Sequence, residues 1–334
     1  MADSTPISAP PSTGDFYDER YAGDYMDTDA YSVWGHSDLR TRQVIETLSH
    51  IGIRPDRVLD YGCGVGGWIG LLSRIFPNAE ISGVDISKTA IEKARGRFPK
   101  CHFRHLQGIT APFGNEEFDL IFSYHVLEHV ADIDVSISDI ARMLKRGGYA
   151  VIIFPCGNKG SFLDGVMHLV KDAWLPTPDG RMVLFFEIND GHVRRMTSRD
   201  TIALFEQHGL QAVSQLFSGH FFGTVDWLCR GTGPAYINRV FSGQPSVGRL
   251  ATIQLEFTRQ VFLQIHRLIV RKSLDLHKKR NLVKQSAVFL IKQIAILADL
   301  VLSELNSLEW RLLKRKPQGT AQYLVFRKGD ASRD

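Results

Sequence analysis

The residues best suited to chemistry lie in a glycine-rich turn after a short apolar stretch. The stretch Arg57–Tyr61 reads RVLDY, and glycines follow at positions 62, 64, 66 and 67. Glycines let the backbone pass close to a ligand because they carry no Cβ atom, and the predicted helix that follows offers free N–H groups. Gly62, Gly64 and Gly67 match the GxGxxG pattern of dinucleotide-binding proteins, so this turn alone leaves a dinucleotide ligand open.

Two acidic residues at predicted strand ends narrow the choice of ligand. Asp60 closes the first strand, where its carboxylate would repel a pyrophosphate but would suit the cationic methionine part of S-adenosylmethionine, directly or through water. Asp85 ends the next strand in the segment GVDIS and can accept hydrogen bonds from both ribose hydroxyls of either cofactor. Asp60 therefore favours S-adenosylmethionine over NAD.

Short apolar stretches alternate with amphipathic ones through the first two thirds of the chain. This alternation predicts a doubly wound α/β fold, with a parallel sheet and helices on both faces. The predicted strands are Arg57–Tyr61, Glu80–Val84, Cys101–His105, Phe118–Ser123, Tyr149–Phe154, Leu210–Phe217 and Ala321–Arg327. The predicted helices are Asp15–Tyr31, Ser37–His50, Trp68–Phe76, Ser87–Phe98, Ile133–Leu144 and Ser198–His208. We expect Ser87 to cap its helix and Lys145–Gly148 to close the helix before them.

Cysteine usage and the N-terminus bear on location and on metal binding. The four cysteines, Cys63, Cys101, Cys156 and Cys229, are scattered and form no CxxC pair. We therefore expect neither a disulfide framework nor a metal site, and we expect a cytoplasmic setting. Residues 1–14 lack the cationic start and apolar run of a signal peptide and are predicted to form a disordered tail.

The charge is divided unevenly along the chain. Residues 224–334 carry 19 Lys and Arg against 8 Asp and Glu, whereas the remainder carries 21 against 28. Residues 219–317 are predicted to be a helical insertion. Its apolar stretch Ala287–Leu305 is interrupted by Lys292, Gln293 and Asp299, so we reject a transmembrane helix. Three interpretations stay open: a hairpin that caps the pocket or forms a homodimer interface, a basic surface that contacts a membrane peripherally, and RNA binding.

Four ordered motifs carry a family resemblance that spans roughly residues 15–218. They are VLDYGCGVGG at 58–67, GVDIS at 83–87, the run Ala111–His129 and the run Met143–Pro155. In this combination the chain resembles class I S-adenosylmethionine-dependent methyltransferases of the ubiquinone/small-molecule type. The resemblance implies a seven-stranded Rossmann-like core over residues 51–218, and a final strand at 318–328 that returns to it.

The resemblance also implies which residues bind the cofactor. Asp85 would bind the ribose, and Gln107 stands where the family usually has an aspartate that contacts the adenine amino group. Ser123 and His125 would lie beside the sulfonium. The residues implied around the methionine part and the adenine are, in order, Asp60, Gly62, Cys63, Gly64 and Gly66, and then Ile86, Gly108 and Ile109.

Methyl transfer to a hydroxyl needs a proton acceptor, for which histidine is the usual residue at neutral pH. His129 lies after the fourth predicted strand, and His192 lies in a GHxR segment that resembles the family's segment near the acceptor. We predict these two as candidate bases. The Asn/Asp-Pro-Pro-Tyr/Phe motif that holds planar amino groups is replaced by Ser123–Val126. This replacement argues against methylation of DNA amino groups or of glutamine and leaves O-, C- and some N-methylation open.

The predicted N-terminal helices, residues 15–50, would form a lid over the site. Tyr17, Tyr21 and Tyr25 recur at a four-residue spacing and line one helical face, and Trp34, His36 and Arg42 would extend the same wall. Packing of this aromatic stripe on the core is the alternative. The expected function is methylation of a small-molecule acceptor, at a hydroxyl, in a glycan, lipid or secondary-metabolite pathway. RNA or protein methylation and a catalytically silent cofactor-binding protein remain alternatives.

Overall fold

A computed structural model describes residues 13–22, 39–167, 174–176, 182–184, 191–225 and 300–330. The predicted tail up to residue 12, the predicted roles of Tyr25, Trp34 and His36, and residues 226–299 of the predicted insertion lie outside these ranges. The predicted start of the second helix at Ser37 also lies outside them.

The centre of the structure is a seven-stranded sheet. Its strands are β1 (Arg57–Tyr61), β2 (Glu80–Asp85), β3 (His102–His105), β4 (Phe118–Tyr124), β5 (Leu144–Pro155), β8 (Leu210–Ser218) and β9 (Ala321–Lys328). They lie in the order β3-β2-β1-β4-β5-β9-β8, and the first five are parallel. β9 runs antiparallel between β5 and β8. Two short strands, β6 (Trp174–Pro176) and β7 (Met182–Leu184), form a separate antiparallel pair. The predicted doubly wound α/β fold is confirmed, with one antiparallel strand that a purely parallel sheet would not contain.

The described helices include α1 (Gly14–Ala22), α2 (Leu39–Ile51), α3 (Ile69–Ile75), α4 (Lys88–Arg97), α5 (Ile133–Met143), α6 (Phe162–Met167) and α7 (Ser198–Gln207). Residues 300–313 are also helical. Ser87 caps α4 as predicted, because its hydroxyl accepts a hydrogen bond from the Ala90 N–H at 3.0 Å. The prediction that Lys145–Gly148 close the preceding helix is wrong: α5 ends at Met143, and these residues lie in β5, where Gly147 adopts a positive φ of 73°.

Both faces of the sheet are buried. Neighbouring residues of β1 belong to different apolar clusters, Val58 to one and Leu59 to the other, and both are fully buried. Strands covered on both sides need apolar residues at successive positions, which explains the continuous runs in β1, β4 and β5.

The C-terminal helical residues 300–313 are fastened to the core by polar contacts. The Trp310 Nε1–H donates to the Glu46 carboxylate of α2 at 2.6 Å. Helix α2 is itself bound to the sheet, because the Tyr323 hydroxyl of β9 donates to Gln43 Oε1 at 2.8 Å. The buried Glu309 carboxylate accepts hydrogen bonds from the backbone N–H groups of residues 220–223. Chain segments on either side of residues 226–299 are therefore joined at one place. Among the described helices, none has the length and apolar character needed to cross a bilayer.

Candidate active site

The glycine turn lies at the carboxyl end of β1 and is held by main-chain bonds to β2. The N–H groups of Gly62 and Cys63 both donate to the Val84 carbonyl, at 2.8 and 2.9 Å. Gly62 and Gly64 have φ values of 79° and 52°, in the left-handed region that favours glycine. A Cβ atom on Gly62 would collide with Val126, and one on Gly64 would lie 2.6 Å from the Tyr21 hydroxyl oxygen. The turn is thus tightly enclosed by the segment after β4 and by α1.

Asp85 ties this turn to the start of α4. Its Oδ2 accepts from the Gly64 N–H at 2.7 Å, and its Oδ1 accepts from the Ser87 N–H at 2.9 Å. The side chain is 8% exposed, and burial raises its pKa although both backbone bonds oppose this rise. Asp85 therefore shapes the turn in addition to offering a carboxylate at the end of β2.

Asp60 is a buried carboxylate that lacks a partner on one oxygen. It is 1% exposed, and its Oδ2 has no hydrogen-bond partner among the residues that the structure describes. Burial, and then repulsion by the charge of Asp85, raise the pKa of Asp60 well above its usual value. A buried anion without a partner is costly, so this position suits a cationic ligand group. The fit supports the methionine part of S-adenosylmethionine, with its ammonium and sulfonium charges.

The predicted adenine-side residues lie beyond β2 and β3. His105 Nε2 donates to the Ile86 carbonyl at 2.9 Å, so its Nδ1 can accept from the Gln107 amide N–H, 3.3 Å away. This contact leaves the Gln107 amide oxygen as the group able to accept from an amino group. Ile109 is 72% exposed.

Two further residues predicted beside the cofactor are buried. Cys63 packs against Gly83, and burial raises the pKa of its thiol well above the usual value. Ser123 is 1% exposed, and within the described part of the chain its hydroxyl has no hydrogen-bond partner.

A carboxylate and three histidines meet at the end of β4. His125 has a positive φ of 54°, a strained conformation for a residue with a side chain. Its Nδ1–H donates to Glu128 Oε1 at 2.7 Å, and His129 Nε2 lies 3.9 Å from the same oxygen. The rings of His129 and His192 meet edge to face, with centroids 4.6 Å apart. The structure therefore brings together His125, His129 and His192 around Glu128.

Glu128 was missing from the predicted site residues, although it precedes His129 directly. It is fully buried, and its Oε2 has no hydrogen-bond partner among the described residues. Burial alone would raise its pKa, but attraction by His125 and the hydrogen bond from it lower the pKa below the usual value. The signal in the sequence was a glutamate placed among apolar residues. Such a glutamate is predicted to be buried beside a partner, because a carboxylate is almost never buried without one.

The neighbouring His129 is neutral at physiological pH. Burial lowers its pKa to about 4, even though the Glu128 carboxylate opposes the shift. One ligand atom each from Glu128, His129 and His192 lies within 4.8 Å of the others, so these groups could also hold a metal ion. The expectation that the protein has no metal site stays a prediction.

Helix α1 lies across this edge of the sheet. The Asp18 carboxylate accepts from the Ser87 hydroxyl at 2.5 Å and from the Thr89 N–H at 2.9 Å. At the other side, the Tyr17 ring meets the His129 ring edge to face, 5.9 Å between centroids. Helix α1 thus bridges the start of α4 and the histidine cluster, with Tyr21 above the glycine turn between them.

Arg42 lies on α2, and the hydrogen bonds described for this helix are made with the C-terminal part of the chain. Gln43 bonds to Tyr323 of β9, and Glu46 contacts Trp310 and Lys314. These contacts attach α2 to the C-terminal segments. The predicted place of Arg42 in the acceptor wall stays a prediction.

The raised pKa of Asp60 predicts how the stability of the free protein depends on pH. Because the folded state holds this proton more tightly than the unfolded chain, the associated stability is complete below the unfolded pKa, about 3.9. It is lost as the pH rises through the folded pKa. Asp60→Asn, which carries no charge, should therefore gain stability relative to the original protein as the pH rises from about 4 to 7.

Urea unfolding of both proteins over this pH range measures the difference. Asp56→Asn, at an exposed position before β1, is the control. A stability difference that stays constant with pH for Asp60→Asn would contradict the assignment of a raised pKa to Asp60.

The comparisons with known proteins agree with this geometry. The sequence model of a family described as "Methyltransferase domain" matches residues 33–215, more than half of the chain. An O-methyltransferase, cnsE, of Penicillium expansum is 30% identical over 193 residues, covering 54% of this chain and 68% of its own length. The ubiquinone biosynthesis O-methyltransferase of Bradyrhizobium diazoefficiens is 33% identical over 126 residues, 36% of this chain but only 48% of that enzyme.

Solved structures show the same fold. The [4+2]-cyclase SpnF has a TM-score of 0.50 at 15% identity, with 98% of this chain and 100% of that chain covered. Phosphoethanolamine N-methyltransferase 2 of Haemonchus contortus also has a TM-score of 0.50 at 15% identity, with 95% and 60% covered. With the sheet order, the glycine turn and the two acidic strand ends, these matches show that the chain belongs to the class I S-adenosylmethionine-dependent methyltransferases.

Proposed function

We propose that this enzyme methylates a hydroxyl group of a small molecule, with the pair of Glu128 and His125 as its proton-accepting device. The observation that carries the proposal is the 2.7 Å hydrogen bond from His125 Nδ1–H to the buried Glu128 carboxylate. This bond assigns the proton of the neutral imidazole to Nδ1, which leaves Nε2 able to accept a proton. The side chain of His125 is 38% exposed, so a substrate can approach it.

The cofactor-binding residues would divide among the ends of β1, β2 and β3. Asp60 supplies the negative charge for the methionine part, Asp85 accepts from the ribose, and the Gln107 amide oxygen accepts from the adenine amino group. When bound, S-adenosylmethionine supplies a methyl group that is already activated by the positive sulfur. The remaining work of the protein is to align the acceptor and remove its proton.

His129 and His192 stay candidate bases from the sequence, but their surroundings favour another role. The pKa of His129, about 4, keeps it neutral and makes it a weak proton acceptor. Packed edge to face with His192 and Tyr17, it would form the wall against which the acceptor lies.

The charges of the site favour a hydroxyl over a carboxylate as the acceptor. Asp60, Asp85 and Glu128 are three buried carboxyl groups at one edge of the sheet. Of these, only Glu128 has a lowered pKa, so its negative charge would repel an anionic acceptor, which would also have no need of a base. Names of the relatives, O-methyltransferases among them, agree with methylation at oxygen.

Cofactor choice is tested by calorimetry of the purified chain with S-adenosylmethionine and, separately, with NAD. We expect binding of the first and none of the second. Asp60→Asn should weaken binding roughly 30-fold, equivalent to about 2 kcal/mol, because the ligand cation loses its counter-charge. Binding of NAD in preference to S-adenosylmethionine would overturn the assignment of this turn.

Acceptor and base are tested by one set of assays. A panel of phenols and alcohols is compared with matched carboxylic acids, and we expect methyl transfer to the hydroxyl compounds. Glu128→Gln keeps the shape but loses the charge that orients His125, so kcat should fall about 100-fold. Glu92→Gln, on the exposed face of α4, is the control.

Three outcomes would contradict this proposal. Exclusive methylation of the acids would reject the acceptor class. An unchanged kcat in Glu128→Gln would reject the base. Loss of activity on chelation, restored by a divalent metal, would assign Glu128, His129 and His192 to a metal instead.

Helix α1 is proposed as a lid that Asp18 holds closed. Asp18→Ala removes both bonds to the start of α4, each worth about 1 kcal/mol. The product S-adenosylhomocysteine should then dissociate at least fivefold faster in stopped-flow measurements. Asp15→Ala, exposed on the same helix, should release it at the original rate. Equal rates of S-adenosylhomocysteine dissociation from the two variants would show that Asp18 does not hold α1 closed.

A further inference from the structure

A buried arginine spans the turn that carries the histidine cluster. Arg194 is 4% exposed, and its guanidinium donates to the carbonyls of Leu127 at 2.9 Å and Ala131 at 2.8 Å. It also donates to the Val130 carbonyl. Three carbonyls from one five-residue stretch therefore converge on a single side chain.

This stretch is the irregular connection between β4 and α5, so its carbonyls are not satisfied by a regular ladder of hydrogen bonds. Buried carbonyls need donors, and a planar guanidinium offers five in a fixed arrangement. The ammonium of a lysine is a compact charge and cannot span three diverging acceptors in the same way. The chemistry of the position thus calls for arginine specifically.

The same contact joins the two segments that contribute the cluster. The Val193 N–H donates to the Glu128 carbonyl at 2.9 Å, directly beside the Arg194 bonds. One segment holds His125, Glu128 and His129, and the other holds His192 two residues before Arg194. The relative placement of these side chains therefore depends on a main-chain arrangement that Arg194 completes.

We propose that Arg194 is a positioning residue: by binding the carbonyls of Leu127, Val130 and Ala131 it sets the placement of Glu128 and its histidines. Val126, in the same β4–α5 connection, packs against Gly62, so this connection also contacts the glycine turn. Misplacement of reacting groups by about 1 Å can cost on the order of 100-fold in rate. The expected loss of rate rests on the proposed function, whereas the expected displacement of the histidine side chains does not.

A matched control exists at the opposite end of the sheet. Arg142 also donates its guanidinium to main-chain carbonyls, of Phe113 at 2.7 Å and Ala111 at 3.1 Å. Those residues precede the start of β4, whereas the histidine cluster follows its end. Arg142 also pairs with the buried Asp139 carboxylate at 2.7 Å, so Arg142→Lys removes contacts to main-chain carbonyls together with a guanidinium–carboxylate pair, away from the site.

The experiment combines spectra of isotope-labelled histidine side chains with kinetics on the full chain. In Arg194→Lys we expect shifted imidazole nitrogen resonances of His125 and His129, at least a tenfold lower kcat, and a cofactor KM within about twofold of the original. In Arg142→Lys we expect a lower melting temperature but unchanged histidine resonances and kcat. Arg194→Gln, with a planar amide, serves as a second variant if Arg194→Lys fails to fold.

The outcomes separate this inference from the proposed function. Unchanged histidine resonances in a folded Arg194 variant would overturn the positioning role, whatever the acceptor is. Shifted resonances, with no hydroxyl compound methylated by the original protein, would support the role of Arg194 and reject the proposed acceptor. Equal losses of kcat in the Arg142 and Arg194 variants, or failure of both Arg194 variants to fold, would show a general structural role and reject the inference.

Discussion

Asp85 makes two hydrogen bonds on which the cofactor edge of this protein depends. One carboxylate oxygen accepts from the Gly64 N–H and the other from the Ser87 N–H. The glycine turn, the end of β2 and the cap of α4 are thereby joined through one buried side chain. Because Ser87 also donates to Asp18, the same chain of contacts extends to helix α1. The glycine turn and helix α1 are thus linked through the end of a single strand, β2.

Burial of negative charge is the second constraint. Asp60 and Glu128 are both removed from water, and each keeps one oxygen without a hydrogen-bond partner among the described residues. Their pKa values move in opposite directions because their neighbours differ: Asp60 faces Asp85, whereas Glu128 faces His125. A carboxylate with a raised pKa is suited to gain a cationic ligand. One with a lowered pKa is suited to hold an imidazole in place.

The strands and most helices followed from the sequence because their signals are local. β1 was predicted with its observed bounds, and Ser87 was predicted as the cap of α4 from its position before an amphipathic stretch. The segment Lys145–Gly148 was interpreted as a helix end because basic residues and glycines are typical of one. In the structure it begins β5 instead, where the pairing with β4 shifts register and Gly147 adopts a positive φ.

The sequence by itself determined the fold class, the cofactor and the strand-end residues Asp60 and Asp85, because these depend on short motifs and on their order along the chain. Only the tertiary structure decided that Glu128 is buried among three histidines, that His125 is hydrogen-bonded to it, and that Arg194 binds carbonyls of the same turn. Glu128 and Arg194 are 66 positions apart in the chain. Their segments meet only when the chain folds and packs one against the other, so no local sequence pattern could predict the contact.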